Sequence, residues 1–432
     1  MAGSPTGGRI TAMAVSNPRT ARLRDPALPA VEDLLDGVVP ASLQVALAAQ
    51  GIRVLRAEAV QVTWWPGESI TVRYDADLTG SLEGSRQVVA VSGRIPDGAT
   101  IVETDVARVG VWVVPHDPAL PGLAAATDEP TLRRLLDDLG VPSNDQPVPR
   151  LRAYRPGRRA VVEVSGGASS VFLKLVPPGE VRALHQTHGA LAEDLPVPRS
   201  LGYDEGLGLL AMQALPGVTL RRALEIPTEP LPAPGLIDRL LDSLPAAAAT
   251  SPTRSAADRL ERITRLLRRL VPEEEGSLEE LANAIGPELD ARSVPVHGDL
   301  YEGQILVMSG TVSGLLDVET FGMGRAGEDQ AAMIGHLSLW QQISAQPERT
   351  RRLGNRFLAA WDRRLDPVDL RRRAAAVILS LATGPFRVQR PAWPEETKRR
   401  IRLAESWMAS ARLAGERSLT AGSSPSHGRG GF

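Results

Sequence analysis

The sequence predicts an α+β protein with separate lobes, β-rich in its first half and helical in its second. Three observations lead there. Short runs of strand-forming residues, bounded by Pro-Gly turns, fill the stretch from about Val60 to Val176. The same three-strand pattern occurs twice within it. From about Glu225 onward, apolar residues recur at helical spacing.

The elements follow in chain order. Residues 1–26 are small, polar and aperiodic, as expected of a disordered tail, and the end from Gly415 has the same character. Pro40 to Gln50 reads as a helix, with proline at its start and Gly51 past its end. Val60 to Thr63 and Ile70 to Tyr74 read as strands around the turn Trp65-Pro66-Gly67-Glu68, and Val88 to Val91 as a third. Thr131 to Leu139 is a short helix between Pro130 and Gly140. Then the pattern returns: Leu151 to Tyr154, the turn Arg155-Pro156-Gly157-Arg158, Ala160 to Val164, and Val171 to Val176. WWPGESITVRY and YRPGRRAVVEV align on Pro-Gly, which indicates a duplicated three-stranded unit. Where the second copy has VFLKLV, with Lys174, the first has VVAVSG and no lysine. The first copy then reads as a degenerate cap. Helices are expected over Arg254 to Val271, Leu278 to Ile285, Glu328 to Ile343, Glu348 to Arg364, Leu370 to Leu381 and Glu395 to Ala414. Ser255 can cap the first of these, whose stripe is Leu260, Ile263, Leu267 and Leu270. His185 and His188 read as helix-surface residues.

Composition narrows the function. A net charge of −2 argues against a general nucleic-acid or membrane-surface binder, because both need a basic excess. The absence of cysteine excludes disulfides, thiolate metal sites and cysteine nucleophiles, and fits a cytoplasmic setting. The start MAGSPTGGRI lacks the apolar core of a signal peptide. No apolar run reaches the roughly 18 residues that span a membrane. There is no Walker A motif and no Gly-x-Ser-x-Gly elbow.

The chemistry concentrates in VPVHGDLYEGQILVMSGTVSGLLDVETFG. Ile305 to Met308 and Gly314 to Leu316 read as two strands joined around Ser309-Gly310-Thr311. His297 to Gln304 is the loop before that hairpin, and Asp317 sits just past it. Asp299, Gln304 and Asp317 can therefore converge. Two carboxylates and a carboxamide suit Mg²⁺, a hard cation that takes oxygen ligands and keeps waters and phosphates as the rest. Phosphoryl transfer needs such a metal and a carboxylate to receive the proton of the attacking hydroxyl.

This block resembles the catalytic signature of the aminoglycoside-phosphotransferase and related small-molecule kinase superfamily. That resemblance implies a bilobal protein-kinase-like fold over about residues 148 to 412. It makes Asp299 the catalytic base, His297 a support of the loop, and Asp317 the principal Mg²⁺ ligand, with Gln304 beside it. Lys174 takes the place of the nucleotide lysine, between apolar neighbours on both faces of its strand. Arg155 and Gly157 fall in the phosphate loop, and backbone groups from Gln213 to Leu215 in the adenine-binding hinge, where an ordinary strand and turn is the other reading. Glu319 is either a second metal or substrate contact or an exposed loop acid, and Asp329 braces the catalytic loop. The cofactors implied are ATP and Mg²⁺. The partner implied is a small hydroxylated acceptor: a sugar, an amino sugar or an aminoglycoside-like molecule.

The sequence departs from the family pattern in three places. Gln304 stands where most relatives have asparagine, a feature that, with the cap, resembles maltokinase-like enzymes. The helix after Lys174 has no acid at the usual distance, with Glu180 too close and Glu193 too far. The phosphate loop is not Gly-x-Gly-x-x-Gly. The first two departures keep open an impaired, pseudokinase-like nucleotide-binding module. The expected domains are a tail (1–26), a cap (27–140), a kinase-like N-lobe (141–222), a helical C-lobe (223–414) and a second tail (415–432).

Overall fold

The computed structural model describes residues 23–35, 39–104, 107–141, 146–166, 170–286 and 292–422. The expected tails fall largely outside these residues. Two differences are visible at their edges. Asp25 is buried, at 3% exposure, so order begins before residue 27. The last helix, Trp393–Gly422, continues past Gly415.

The chain divides into two compact units, Met1–Val114 and Pro115–Phe432. The short helices Gly122–Thr127 and Glu129–Asp138, expected in the cap, thus fall within the second unit. Asp128 caps the latter by accepting the N–H of Thr131.

In the first unit, five antiparallel strands form one sheet: Ile52–Trp65, Ser69–Gly80, Gly84–Ser92, Arg108–Val113 and Thr100–Glu103, in that spatial order. Ile70, Val72, Tyr74, Ala76 and Leu78 are buried at every second position, the period of a half-buried strand.

In the second unit, the first sheet runs Val148–Arg155, Arg159–Ser165, Val171–Leu175, Leu209–Gln213 and Ser200–Asp204. Numbered along the chain within each sheet, both have the order 1-2-3-5-4. The duplication therefore covers five strands, not three. Thr71 pairs with Val91 in the first sheet as Val161 pairs with Lys174 in the second, so Val91 stands at the lysine's place. Between its third and fourth strands the second copy adds the helix Pro178–Leu191. There Val181 and Leu184 pack with Val176, Leu210, Met212 and Phe172. Lys174 is on the same strand face as Phe172 and Val176.

A local motif is repeated as well. Asp25-Pro26-Ala27-Leu28-Pro29 recurs as Asp117-Pro118-Ala119-Leu120-Pro121. In the first unit, Asp25 accepts from Gly67 N (2.7 Å) and Trp64 Nε1 (3.2 Å). In the second, Asp117 accepts from Gly157 N (2.7 Å) and Tyr154 Oη (2.8 Å). Each aspartate thus clamps the Pro-Gly turn of its own copy.

The rest of the second unit is mainly helical, with helices at Leu260–Leu270, Glu275–Ile285, Glu328–Trp340, Pro347–Trp361 and Pro367–Leu381. Ser255 and Asp258 exchange bonds at the entrance to the first of these, in the reciprocal manner of a capping box. The apolar core joins Ile237, Met333, Leu337, Phe357 and Trp361 to the hairpin residues Ile305, Val307 and Leu315.

Candidate active site

Two small sheets suspend the polar block. Ser293–Val296 pairs with Gly322–Arg325, and Ile305–Met308 pairs with Thr311–Leu315. Residues 297–304 cross from the ribbon to the hairpin, and residues 316–321 cross back beside them. Leu300, Val318 and Phe321 anchor both crossings in the core.

Asp329 braces the first crossing. It is 3% exposed and accepts the N–H groups of His297 (2.7 Å) and Gly298 (2.9 Å). Gly298 has φ 81°, and a side chain there would put Cβ 2.6 Å from Thr320 O, so only glycine fits. His297 is fully buried. Its Nδ1 accepts the Asp299 N–H (3.3 Å), which assigns the proton to Nε2, 2.8 Å from Leu316 O. His297 therefore ties the two crossings together.

Asp317 adopts a left-handed backbone, φ 58°, unusual for a residue other than glycine and typical of functional sites. Four side chains meet around it. Lys174 Nζ lies 2.8 Å from Asp317 Oδ1 and 2.5 Å from Glu319 Oε1. Arg159 pairs with Asp317 (3.2 Å) and with Glu319. Gln304 Nε2 donates to Asp317 Oδ2 at 3.0 Å. Burial alone would raise the Asp317 pKa, but Lys174 and Arg159 outweigh it and hold the carboxyl at about 2. Glu319 is thus an ion-paired member of the cluster.

The acid partners of Lys174 are these two carboxylates. The helix Pro178–Leu191 instead carries His188, which is 1% exposed rather than on the helix surface as expected. Its Nδ1 meets Pro198 O at 2.8 Å, and burial followed by the Lys174 charge lowers its pKa, so the ring is neutral at pH 7. Glu180 is pushed the other way, first by burial and then by Glu319.

Arg159 was not among the residues expected from the sequence. Strand period gives the signal for it: Arg159 is two residues from Val161, which pairs with Lys174. Arg155 is exposed, and Arg159, Arg387 and Asp299 are charged groups that act on it. Gly157 is present in the turn, but its N–H is held by Asp117. Gln213 ends its strand and donates to Arg199 O (2.9 Å), and Leu215 lies in the connection that leads on to Val218–Thr219.

Asp299 is open to solvent on one side while protein crowds the other. That crowding raises its pKa, His297 opposes the rise, and Asp317 adds to it. Nearby, Tyr301 stacks on His336 with centroids 4.4 Å apart. Arg221 lies over Trp340 and binds the buried Glu302 at 2.8 Å. A cavity of about 350 Å³ is lined by Ile334, Leu337, Ser338 and Gln341. These lie on the helix face opposite His336 and Trp340, so the cavity is separate from the Asp299 loop.

The donor set can be tested against Mg²⁺. Among the described residues, no three His, Asp or Glu side chains converge as a ready-made metal cage. Mg²⁺ bound with a nucleotide takes only one or two carboxylates plus phosphates. Asp317, the adjoining carboxamide of Gln304 and Glu319 are all oxygen donors, and they fit that requirement.

The model of the phosphotransferase enzyme family (APH) matches residues 150–366, half of the chain. The chain belongs to this phosphotransferase family. As a family member it is a small-molecule kinase, and the matched span holds Lys174, Asp299 and Asp317. No curated protein matches the sequence. Among solved structures, the chain is similar to a thermostable mutant of aminoglycoside phosphotransferase APH(4)-Ia in its apo form, at 14% identity and a TM-score of 0.43, over 65% of this chain and 98% of that one. It is similar to the macrolide 2'-phosphotransferase MphH from Brachybacterium faecium at 18% identity and a TM-score of 0.39, over 62% and 97%. With aminoglycoside phosphotransferase APH(3'')-Id from Streptomyces rimosus, identity is 22% and the TM-score 0.40, over 58% and 95%. Among the described residues, no helix is long and apolar enough to cross a membrane.

Proposed function

We propose that this phosphotransferase uses ATP and Mg²⁺ to phosphorylate a hydroxyl of a sugar-like small molecule. The observation that carries the reading is the meeting of Lys174 and Asp317 at 2.8 Å, beside the loop that bears Asp299. Asp299 orients the acceptor hydroxyl and takes its proton as the new O–P bond forms and the bond from the γ-phosphorus to the bridging oxygen breaks, releasing ADP. Its raised pKa makes it a better base than an ordinary aspartate. Lys174 and Arg159 turn from the carboxylates to the nucleotide phosphates. Asp317 and Gln304, with Glu319, would hold Mg²⁺, which when bound supplies charge neutralisation at the phosphates. Positioning and electrostatics supply most of the rate enhancement. The Gln213–Leu215 connection is the place for adenine. ATP use suits a cytoplasmic setting.

A neutral sugar is favoured over a polycationic aminoglycoside. Glu302 in the loop and Glu319 in the crossing beside it are each bound to a cation: Glu302 to Arg221, Glu319 to Lys174 and Arg159. The test is a phosphorylation screen over sugars, amino sugars and aminoglycosides with Mg²⁺–ATP, using Asp299→Asn as control. Transfer to a sugar that the control loses supports the reading. Nucleotide binding without transfer to any acceptor in the panel would sink it in favour of a binding module.

A further inference from the structure

The turn Arg155-Pro156-Gly157-Arg158 occupies the place of a phosphate loop, yet its tip has no backbone donor to offer. Pro156 has no N–H. The Gly157 N–H is taken by Asp117 at 2.7 Å, and the Arg158 N–H by Arg155 O at 3.0 Å. The holder is not incidental. Asp117 is 2% exposed, and its oxygens accept from Gly157 N, Tyr154 Oη and Ala119 N, the last at 2.9 Å. A buried carboxylate with three donors is a rigid support, and it backs the turn with negative charge. A phosphate meeting that turn needs cations in front of it. The turn supplies them at its two ends, Arg155 and Arg159, which pair across the strands, and Arg159 already reaches Asp317 and Glu319.

We propose that Asp117 is a positioning residue for nucleotide phosphates, and that the turn it clamps meets them through the guanidinium groups of Arg155 and Arg159 rather than through backbone N–H groups. The inference rests on the reading that this unit binds Mg²⁺–ATP. The first unit supplies a control, because Asp25 makes the same clamp on a turn flanked by Trp65 and Ser69 instead of arginines.

The experiment measures binding of Mg²⁺–ATP and of adenosine by calorimetry to the full chain and to Asp117→Asn and Asp25→Asn, with the melting temperature of each. Asp117→Asn should weaken Mg²⁺–ATP about tenfold, the loss expected when one charged hydrogen bond goes. Adenosine affinity should be unchanged, and Asp25→Asn should weaken neither ligand. Tyr154→Phe, which removes one donor to the same carboxylate, serves if Asp117→Asn does not fold, and should weaken Mg²⁺–ATP in the same sense. Unchanged Mg²⁺–ATP affinity in the folded Asp117 or Tyr154 variant overturns the inference. Equal losses for ATP and adenosine also overturn it, since they mean a general structural effect. If the unaltered chain does not bind Mg²⁺–ATP, the parent reading fails, and this inference with it.

Discussion

Lys174 and Asp317 are 143 residues apart in sequence and 2.8 Å apart in space. The pair joins the five-stranded sheet to the crossing that follows the hairpin, and Arg159 and Glu319 complete it as two cations on two carboxylates. A nucleotide that drew the cations away would leave both acids facing a metal.

Asp299→Asn should lower kcat by about 10²- to 10⁴-fold, the range for loss of a general base, while leaving nucleotide affinity nearly unchanged. As the proposed base, Asp299 would work deprotonated, so activity should fall as pH drops through its pKa. Because that pKa is raised, the acid limb of the kcat/KM profile should lie above the ordinary aspartate value of about 3.9. A profile of kcat/KM against pH, once an acceptor is known, checks both points.

Asp317 contributes stability that depends on acid. Its folded pKa of about 2 is below the unfolded value, so the contribution is complete above roughly pH 4 and is lost as pH falls through about 2. Lys174→Met removes the ammonium 2.8 Å from Asp317. The stability difference between this variant and the parent, from denaturant melts at pH 7 and near pH 2, should shift against the parent at the lower pH. An identical difference at both would exclude the coupling.

Gln304→Ala should raise the Mg²⁺ concentration for half-maximal activity by about tenfold, the lower end of what metal-site neighbours contribute. Gln304→Asn should fall between the two, since it keeps the carboxamide one methylene short. Mg²⁺ titrations at saturating ATP give the ranking, and an unshifted Gln304→Ala curve would remove Gln304 from the metal site.

Arg221→Met should destabilise the chain by about 3 kcal/mol, because it strands Glu302, 1% exposed, without its cation. Adding Glu302→Gln should recover much of the loss. Chemical denaturation of both variants tests this, and no recovery would mean Arg221 acts through Trp340 packing instead.

The candidate block was legible because its geometry is local. His297, Asp299, Gln304 and Asp317 lie within 21 residues, and the hairpin spacing alone brings them together. Lys174 was legible as a charge between apolar neighbours. Arg159 was hidden among Arg155, Arg158 and Arg159, where a solvated run is the ordinary explanation and only cross-strand register singles out one member. The two histidines were misread because a spacing of three residues suggests an outer helix face, whereas the helix buries His188 and lays His185 on the strand Ser200–Asp204, where it bonds Ser200 Oγ and stacks on Tyr203. The clamp aspartates were missed because each lies about forty residues before the turn it holds.

The shared 1-2-3-5-4 strand order gives one polypeptide two versions of the same design, one with the strand lysine and one without it. A comparison usually made between cousins can here be made between two sheets of a single molecule. What both sheets keep (the aspartate under the turn and the Pro-Gly tip) marks the shared architecture, which the arginines of the later sheet put to use in the proposed phosphate contact. What only the later sheet has (the lysine, the arginines and the added helix) is what the proposed reaction would ask for. A lysine at Val91 alone would therefore not turn the earlier sheet into the later one, since the helix, the arginines and the loops that bear Asp299 and Asp317 would still be lacking.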